Sequence, residues 1–236
     1  MNMAHYKTFL FDCDGVILDS NRIKTEAFRR AASSHGEAAA DALVAHHVAN
    51  GGVSRYRKFE HFLEVIAPAY APVLTDTTDA GRSGPGLEAL LQRYAEAVHQ
   101  GLRECAIAEG LAALRAATPQ ARWLVASGGD QRELQAVFAE RDIAEWFDGG
   151  IFGSPASKHD IVAKGLAEGR IISPALFLGD SRMDHEVAEA HGLDFVFVSG
   201  WTEMPGWRAY TAAHQLPVVE SVASLMTAAE GIVETR

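Results

Sequence analysis

Four short runs of consecutive apolar residues punctuate the chain, and each stops at small or acidic residues. Thr8-Phe9-Leu10-Phe11 runs into Asp12-Cys13-Asp14-Gly15, and Arg122-Trp123-Leu124-Val125-Ala126 into Ser127-Gly128-Gly129. Ala175-Leu176-Phe177-Leu178 ends at Gly179-Asp180, and Phe195-Val196-Phe197-Val198 at Ser199-Gly200. An unbroken apolar run of this length suits a strand covered on both faces, as in a parallel sheet. Helical patterns follow three of the four: the long stretch after Asp19, Asp130 to Glu140, and Met183 to His191. Strands alternating with helices predict an α/β domain with a parallel sheet. Trp201, Trp207 and a final helix from about Ser221 to Ala229 are expected to cover the sheet edge.

The stretch between the first two runs has a different pattern. Arg22 to Ser34, Ala38 to Val48, Ser54 to Ile66 and Leu87 to Arg103 read as amphipathic or alanine-rich helices, with no strand among them. Asn50-Gly51-Gly52 and the segment from Ala67 to Gly86 break them. An all-helical block placed after the first strand of an α/β domain predicts a cap. The expected division is a core of residues 1–18 and 106–236 and a helical cap of residues 19–105. Gly84-Pro85-Gly86-Leu87-Glu88-Ala89 matches a relaxed dinucleotide fingerprint, but no strand precedes it, so it reads as a linker and a helix start.

Charge narrows the partners. The 236 residues carry 21 basic and 31 acidic side chains, a formal net charge of −10. Binders of duplex nucleic acid or of an anionic membrane carry a basic surplus, which is missing here. Two cysteines, Cys13 and Cys105, make no disulfide framework and fit a reducing compartment. No apolar stretch reaches the roughly 18 residues of a membrane span. The run before Asp12 is too short for a signal h-region. The expectation is a cytoplasmic protein, monomer or homodimer, with no nucleic-acid or membrane partner.

The strand ends collect carboxylates. Asp12 and Asp14 follow the first run, and residues two apart in an extended chain project to the same side. Carboxylates that close repel unless a proton or cation intervenes. The carboxyl edge of a parallel sheet is also the usual ligand crevice. Asp180 and Asp184 repeat the theme, and a helix beginning near Ser181 puts Asp184 about one turn on, facing the same crevice. Such hard oxygen donors suit Mg²⁺, which keeps waters and substrate phosphate as its other ligands. Ser127 and the N–H groups of Gly128 and Gly129, read as a helix start, offer a phosphate cradle. Lys158 opens a further helix and is the basic group placed to balance the acids.

Together these residues resemble the haloacid dehalogenase (HAD) superfamily of phosphotransferases, over nearly the whole chain. Phe11-Asp12-Cys13-Asp14-Gly15-Val16-Ile17-Leu18-Asp19-Ser20 is similar to its first motif. Ser127 stands as the second, Lys158 as the third, and Gly179-Asp180 to Asp184 as the fourth. The resemblance implies a Rossmann-like three-layer core and a set of roles. Asp12 would be the nucleophile, forming an aspartyl-phosphate, and Asp14 the general acid and then base. Mg²⁺ would sit on the carboxylates of Asp12 and Asp180 and the main-chain carbonyl of Asp14, with Asp184 as ligand or support. Ser127 and Lys158 would bind the transferring phosphoryl. The aspartate at position 14 favours phosphate esters over the dehalogenase and phosphonatase branches, which lack it.

Gly52-Val53-Ser54-Arg55 resembles the cap motif of the β-phosphoglucomutase-like branch, in which the arginine contacts the far end of the substrate. Arg55 is therefore a candidate substrate contact, as is Gly128; the alternative for Arg55 is a solvated or salt-bridged side chain. Lys24 stands where the mutases of that branch carry a histidine, and reads either as an anion contact or as a solvated helix residue. Arg57 and Lys58 read as a charged helix face, and Arg132 and Glu133 as groups near Ser127 without an assigned role. His46 and His47 are adjacent and share no helix face, which argues against metal ligation. The expected activity is a Mg²⁺-dependent phosphatase acting on a small phosphorylated metabolite, with a sugar-phosphate mutase as the alternative and a catalytically silent subunit as the third reading.

Overall fold

A computed structural model describes residues 2–70 and 84–230. The core is a six-stranded, all-parallel sheet in the order β3-β2-β1-β4-β5-β6. Its strands are β1 (Thr8–Phe11), β2 (Arg122–Asp130), β3 (Gly150–Ser154), β4 (Ala175–Gly179), β5 (Asp194–Val198) and β6 (Val218–Val219). All four residues of β1 are buried, because it is central: Leu10 pairs with Leu124 on one side and Phe177 on the other.

Alternation along the strands builds a different core on each face. Phe9, Phe11, Trp123, Val125, Leu176 and Leu178 turn to one side, where Phe11 and Trp123 pack with ring centroids 4.7 Å apart. Leu10, Leu124, Ala126, Phe177, Phe195 and Phe197 turn to the other. The only polar atom of the Trp123 side chain, its indole N–H, donates to Thr118 Oγ1 at 3.1 Å, so the largest side chain of the core is buried without an unmet donor.

Among the described residues, five helices follow β1 before α6: α1 (Asn21–Ala32), α2 (Glu37–Ala49), α3 (Arg55–His61), α4 (Ala67–Tyr70) and α5 (Leu87–Glu104). Phe62–Ile66 winds as a π-helix joining α3 to α4. Phe28 of α1, Phe59 of α3 and Tyr94 of α5 meet with centroids 4.5 to 5.9 Å apart and hold this layer together. Six further helices follow among the described residues: α6 (Leu111–Ala117), α7 (Gln131–Glu140), α8 (Lys158–Ala167), α9 (Arg182–Ala190), α10 (Trp207–Ala213) and α11 (Val222–Glu230).

Several expectations need correction. The second strand runs on to Asp130, so Ser127 lies inside β2 and the helix begins only at Gln131, capped by Asp130. β3 and β6 were not expected; Gly150-Ile-Phe-Gly-Ser is too broken by glycine, and Val218-Val219 too short, to stand out by pattern. Trp207 stacks on Phe197, and β6 forms the edge of the sheet beside β5. Of the segment from Ala67 to Gly86, residues 71–83 lie outside the described residues. No helix among the described residues is long and apolar enough to cross a membrane.

Candidate active site

The strand order reverses between β1 and β4, and in such sheets ligands bind at the carboxyl ends of the strands that flank the reversal. Asp12 leaves the end of β1 and Asp180 the end of β4. After Asp12 the chain turns sharply: the N–H groups of Val16, Ile17 and Leu18 all converge on the Cys13 carbonyl, and the Gly15 N–H reaches the Leu18 carbonyl. Gly15 has φ +77°, and a Cβ there would collide with the Asp180 carboxylate and the Asn21 amide. Both backbone conformation and crowding therefore require glycine.

Oxygens of Asp12, Asp180 and Asp184 lie within 4.8 Å of one another, and all three residues are buried. Lys158 Nζ reaches across from the start of α8 to Asp12 Oδ2 (2.9 Å) and Asp184 Oδ1 (2.5 Å). The other Asp184 oxygen accepts from the Ser181 N–H and hydroxyl in a capping box that fixes the start of α9. Asp180 forms no ion pair among the described residues; its Oδ2 accepts from Asn21 Nδ2 at 2.8 Å. Burial, then the charge of Asp12 and Asp184, push the Asp180 carboxyl well above its usual range. Burial likewise raises Asp12 to about 7 against the pull of Lys158. Three buried carboxylates facing one lysine fit a divalent cation: hard oxygens are gathered and negative charge is uncompensated.

Asp14 belongs to a separate pair. Its Oδ2 meets Lys24 Nζ at 2.6 Å and its Oδ1 accepts from Ser20 Oγ at 2.5 Å. Burial pushes Asp14 up, but Lys24 and Ser20 outweigh it and hold the carboxyl below its ordinary value. Asp12 and Asp14 both line the same cavity, each bonded to a different lysine. Lys24 is buried, which overturns its reading as a solvated helix residue.

Helices α1 to α3 roof this floor. The roof and floor enclose a cavity of about 450 Å³, lined among others by Asp12, Asp14, Lys24, Arg55, Gly128 and Asp180. Gly128 lies so close to the Gly52 carbonyl that a Cβ would collide with it. Ser127 is fully buried, and its Oγ accepts the Gly129 N–H at 3.0 Å. Arg55 is neither solvated nor free: its guanidinium forks onto both carboxylate oxygens of Glu133 on α7, and it lies 4.8 Å over the Tyr94 ring. Tyr56 Oη donates to Asp130 (2.7 Å) and Thr25 Oγ1 to Glu203 (2.6 Å), so three contacts tie the helical layer to the residues around the sheet.

Sequence reasoning passed over several of these groups. Glu133 was noted without a role, and Asn21 was not singled out. Lys58 was read as part of a solvated face, yet it is 2% exposed. The helix explains the error: Arg55 and Lys58, three apart, share the inward face, while Arg57 points to solvent. Phe59 and Phe62, apolar at one and four positions beyond Lys58, were the available signal.

The comparisons agree with this geometry. A family model of haloacid dehalogenase-like hydrolases matches residues 6–192. No curated protein matches the sequence. Among solved structures, a predicted phosphoglycolate phosphatase from Haemophilus somnus superimposes with a TM-score of 0.70 at 15% identity, over 96% of this chain and 99% of that one. CbbY from Rhodobacter sphaeroides, in complex with phosphate, gives 0.62 at 19% identity over 93% and 96%. A provisionally assigned β-phosphoglucomutase from Thermotoga maritima gives 0.62 at 18% identity over 96% and 100%. At these identities the structures speak for the fold, whereas the family model covers most of the chain and with it the ends of β1, β2 and β4 that carry the candidate residues: the chain belongs to the haloacid dehalogenase-like hydrolases.

Proposed function

We propose that this enzyme is a cytoplasmic, Mg²⁺-dependent phosphatase that hydrolyses a small phosphomonoester, a sugar phosphate or related metabolite, through an aspartyl-phosphate on Asp12. The observation that carries the reading is the convergence of Asp12, Asp180, Asp184 and Lys158 at the switch point of the sheet, with Asp14 beside them and a helical roof above. Residues 1–18 and 106–236 act as the catalytic core and residues 19–105 as the cap that excludes bulk water.

The carboxylates of Asp12 and Asp180 and the Asp14 carbonyl would hold Mg²⁺, with Asp184 as ligand or support. When bound, the ion supplies the positive charge that lets a carboxylate approach a phosphate. Lys158 holds Asp12 Oδ2 in place and bears on the same charge. In the first step an Asp12 oxygen forms a bond to phosphorus as the bond to the leaving oxygen breaks; Asp14, freed from Lys24 and having taken a proton from water on substrate binding, gives that proton to the leaving oxygen. In the second, Asp14 takes a proton from water, whose oxygen attacks phosphorus, and the phosphate leaves with Asp12 restored. Gly128, with no side chain, leaves room beside the phosphoryl, and Ser127 fixes the strand end that carries its donors. Catalysis of this type is chiefly positioning and charge stabilisation.

Asp14 starts with both oxygens occupied by Lys24 and Ser20, so productive binding must draw Lys24 toward the substrate. The mutase alternative rests on the Gly52-to-Arg55 match. It is weakened by Arg55, whose fork is already filled by Glu133. A silent subunit is disfavoured because every reactive group is present and assembled. The test is phosphate release from a panel of phosphorylated metabolites, with Mg²⁺ and with EDTA, alongside Asp12→Asn. Metal-dependent release lost in the variant supports the reading; isomerised products without phosphate release favour the mutase.

A further inference from the structure

Among the cavity's cations that the proposed chemistry does not use, Lys58 stands apart. Lys58 projects from α3 into the cavity wall and is 2% exposed. The other roof cations have acid partners: Lys24 has Asp14, and Arg55 has Glu133. Lys58 forms no ion pair among the described residues. Its ammonium touches His47 Nδ1 at 2.8 Å and lies 5.5 Å from the centre of the Phe28 ring. A hydrogen bond to Nδ1 requires the neutral imidazole as acceptor. Burial, then Lys58 itself, hold His47 far down, to about 2, so His47 brings no negative charge.

A buried ammonium without a counter-ion is costly, and an apolar side chain of the same length would be more stable there. The lysine has three donors and His47 takes one. The remaining two have the cavity available. Nearby Lys24 opposes the ammonium charge, and burial opposes it more. An acidic group arriving in the cavity relieves both effects, because it supplies the missing counter-charge and two acceptor oxygens.

We propose that Lys58, oriented by His47, binds a second acidic group of the substrate at the end remote from the scissile phosphate, so that the preferred substrates are phosphoesters carrying a carboxylate or a second phosphate rather than neutral sugar phosphates. The inference rests on the phosphatase reading for its site. It goes further in naming the substrate charge and the residue that selects it.

The test uses pairs matched in skeleton: 3-phosphoglycerate against glycerol 3-phosphate for a carboxylate, and fructose 1,6-bisphosphate against fructose 6-phosphate for a second phosphate. The expected wild-type result is a kcat/KM at least tenfold higher for the acidic member of one pair, and which pair shows it identifies the group. Lys58→Met should cut that ratio at least tenfold through KM, and Lys58→Arg should keep most of it. Equal treatment of both members by the wild type, or a ratio unchanged within twofold in Lys58→Met, overturns the proposal while leaving the phosphatase intact. Binding to the Asp12→Asn protein, followed by thermal shift with the same four compounds, separates the two readings. Selective stabilisation by an acidic member that disappears in Asp12→Asn/Lys58→Met supports the role of Lys58 even if no phosphate is released. No stabilisation by any of the four overturns it.

Discussion

Replacing Lys58 by methionine should make the free protein more stable, and the size of the gain follows from the burial of its charge. The apolar stem of lysine already lies among Phe28 and its neighbours, and methionine keeps that contact. What is removed is an ammonium that burial and Lys24 hold down from 10.5 to about 7. That depression corresponds to roughly 5 kcal/mol at about 1.4 kcal/mol per pH unit. The cavity opens toward solvent, and methionine loses the bond to His47, so a net gain of about 2–3 kcal/mol is expected. For a chain of this size the melting temperature should rise by roughly 5–10 °C. The sign of the pH dependence is fixed. A lysine with a lowered folded-state value is neutral in both states above pH 10.5. Between 10.5 and 7 the unfolded chain takes up the proton and the folded chain does not, so the wild type loses stability as pH falls through that window. Urea unfolding at pH 7.5 and pH 9.5 should therefore show the variant clearly ahead at 7.5 and the gap narrowed at 9.5. A variant no more stable than wild type at pH 7.5, or a gap that does not change with pH, refutes the view of Lys58 as an uncompensated buried charge.

Three other perturbations test neighbouring contacts. Gly128→Val sets a side chain against the Gly52 carbonyl, a backbone atom that cannot swing aside, so roof and floor must part; kcat/KM should fall at least tenfold with melting temperature lowered little, and unchanged kinetics would show the approach is not needed. Glu133→Gln leaves the Arg55 guanidinium buried without its carboxylate, at a cost of about 2–4 kcal/mol to the contact between α3 and α7; faster proteolysis of the helical layer and a raised KM are expected. Asp180→Asn removes one of three crowded carboxylates, so the metal-free protein should melt higher than wild type near pH 8, while the stabilisation given by millimolar Mg²⁺ should vanish. Because Asp180 is raised, its own protonation adds stability to the metal-free wild type as pH falls from 8 toward 5, so the variant's advantage over wild type should shrink across that window.

The parts of this molecule that were legible in the sequence are those written by local pattern. β1, β4 and β5 are unbroken apolar runs because helices cover both faces of the sheet, and the turn after β1 is written in Asp12, Asp14 and Gly15. The expected bounds of α1, α2 and α5 lie within a residue or two of the observed ends, while the helix expected from Ser54 to Ile66 is α3 followed by a π-helical turn. What was not legible depends on which surfaces meet. Nothing local says that Glu133, on a helix after β2, meets Arg55 nearly eighty residues earlier, or that Lys58 faces inward while Arg57 faces out. A charged residue on a helix looks solvated by default, and only the packing of Phe28, Phe59 and Tyr94 decides otherwise. β3 escaped for the opposite reason, since its glycines weaken the strand pattern where the backbone packs closely against β2.

The distribution of charge joins these observations. Four carboxylates, Asp12, Asp14, Asp180 and Asp184, face two lysines, Lys24 and Lys158, so two negative charges stay uncompensated on the floor of the cavity. One divalent cation balances them, and a phosphate can then approach without net repulsion. The roof lacks a matching acid, because Arg55 is paired with Glu133 and Lys58 has no ion-pair partner among the described residues. With the cation in place the floor can accept a phosphate, and a ligand that also reaches the roof gains by bringing a second acidic group to Lys58. A cavity of about 450 Å³ suits a compact metabolite. Lys24, carried by the roof yet bonded to Asp14 on the floor, links the two surfaces: if arrival of the acidic ligand draws Lys24 away, Asp14 is released at the moment the roof is satisfied.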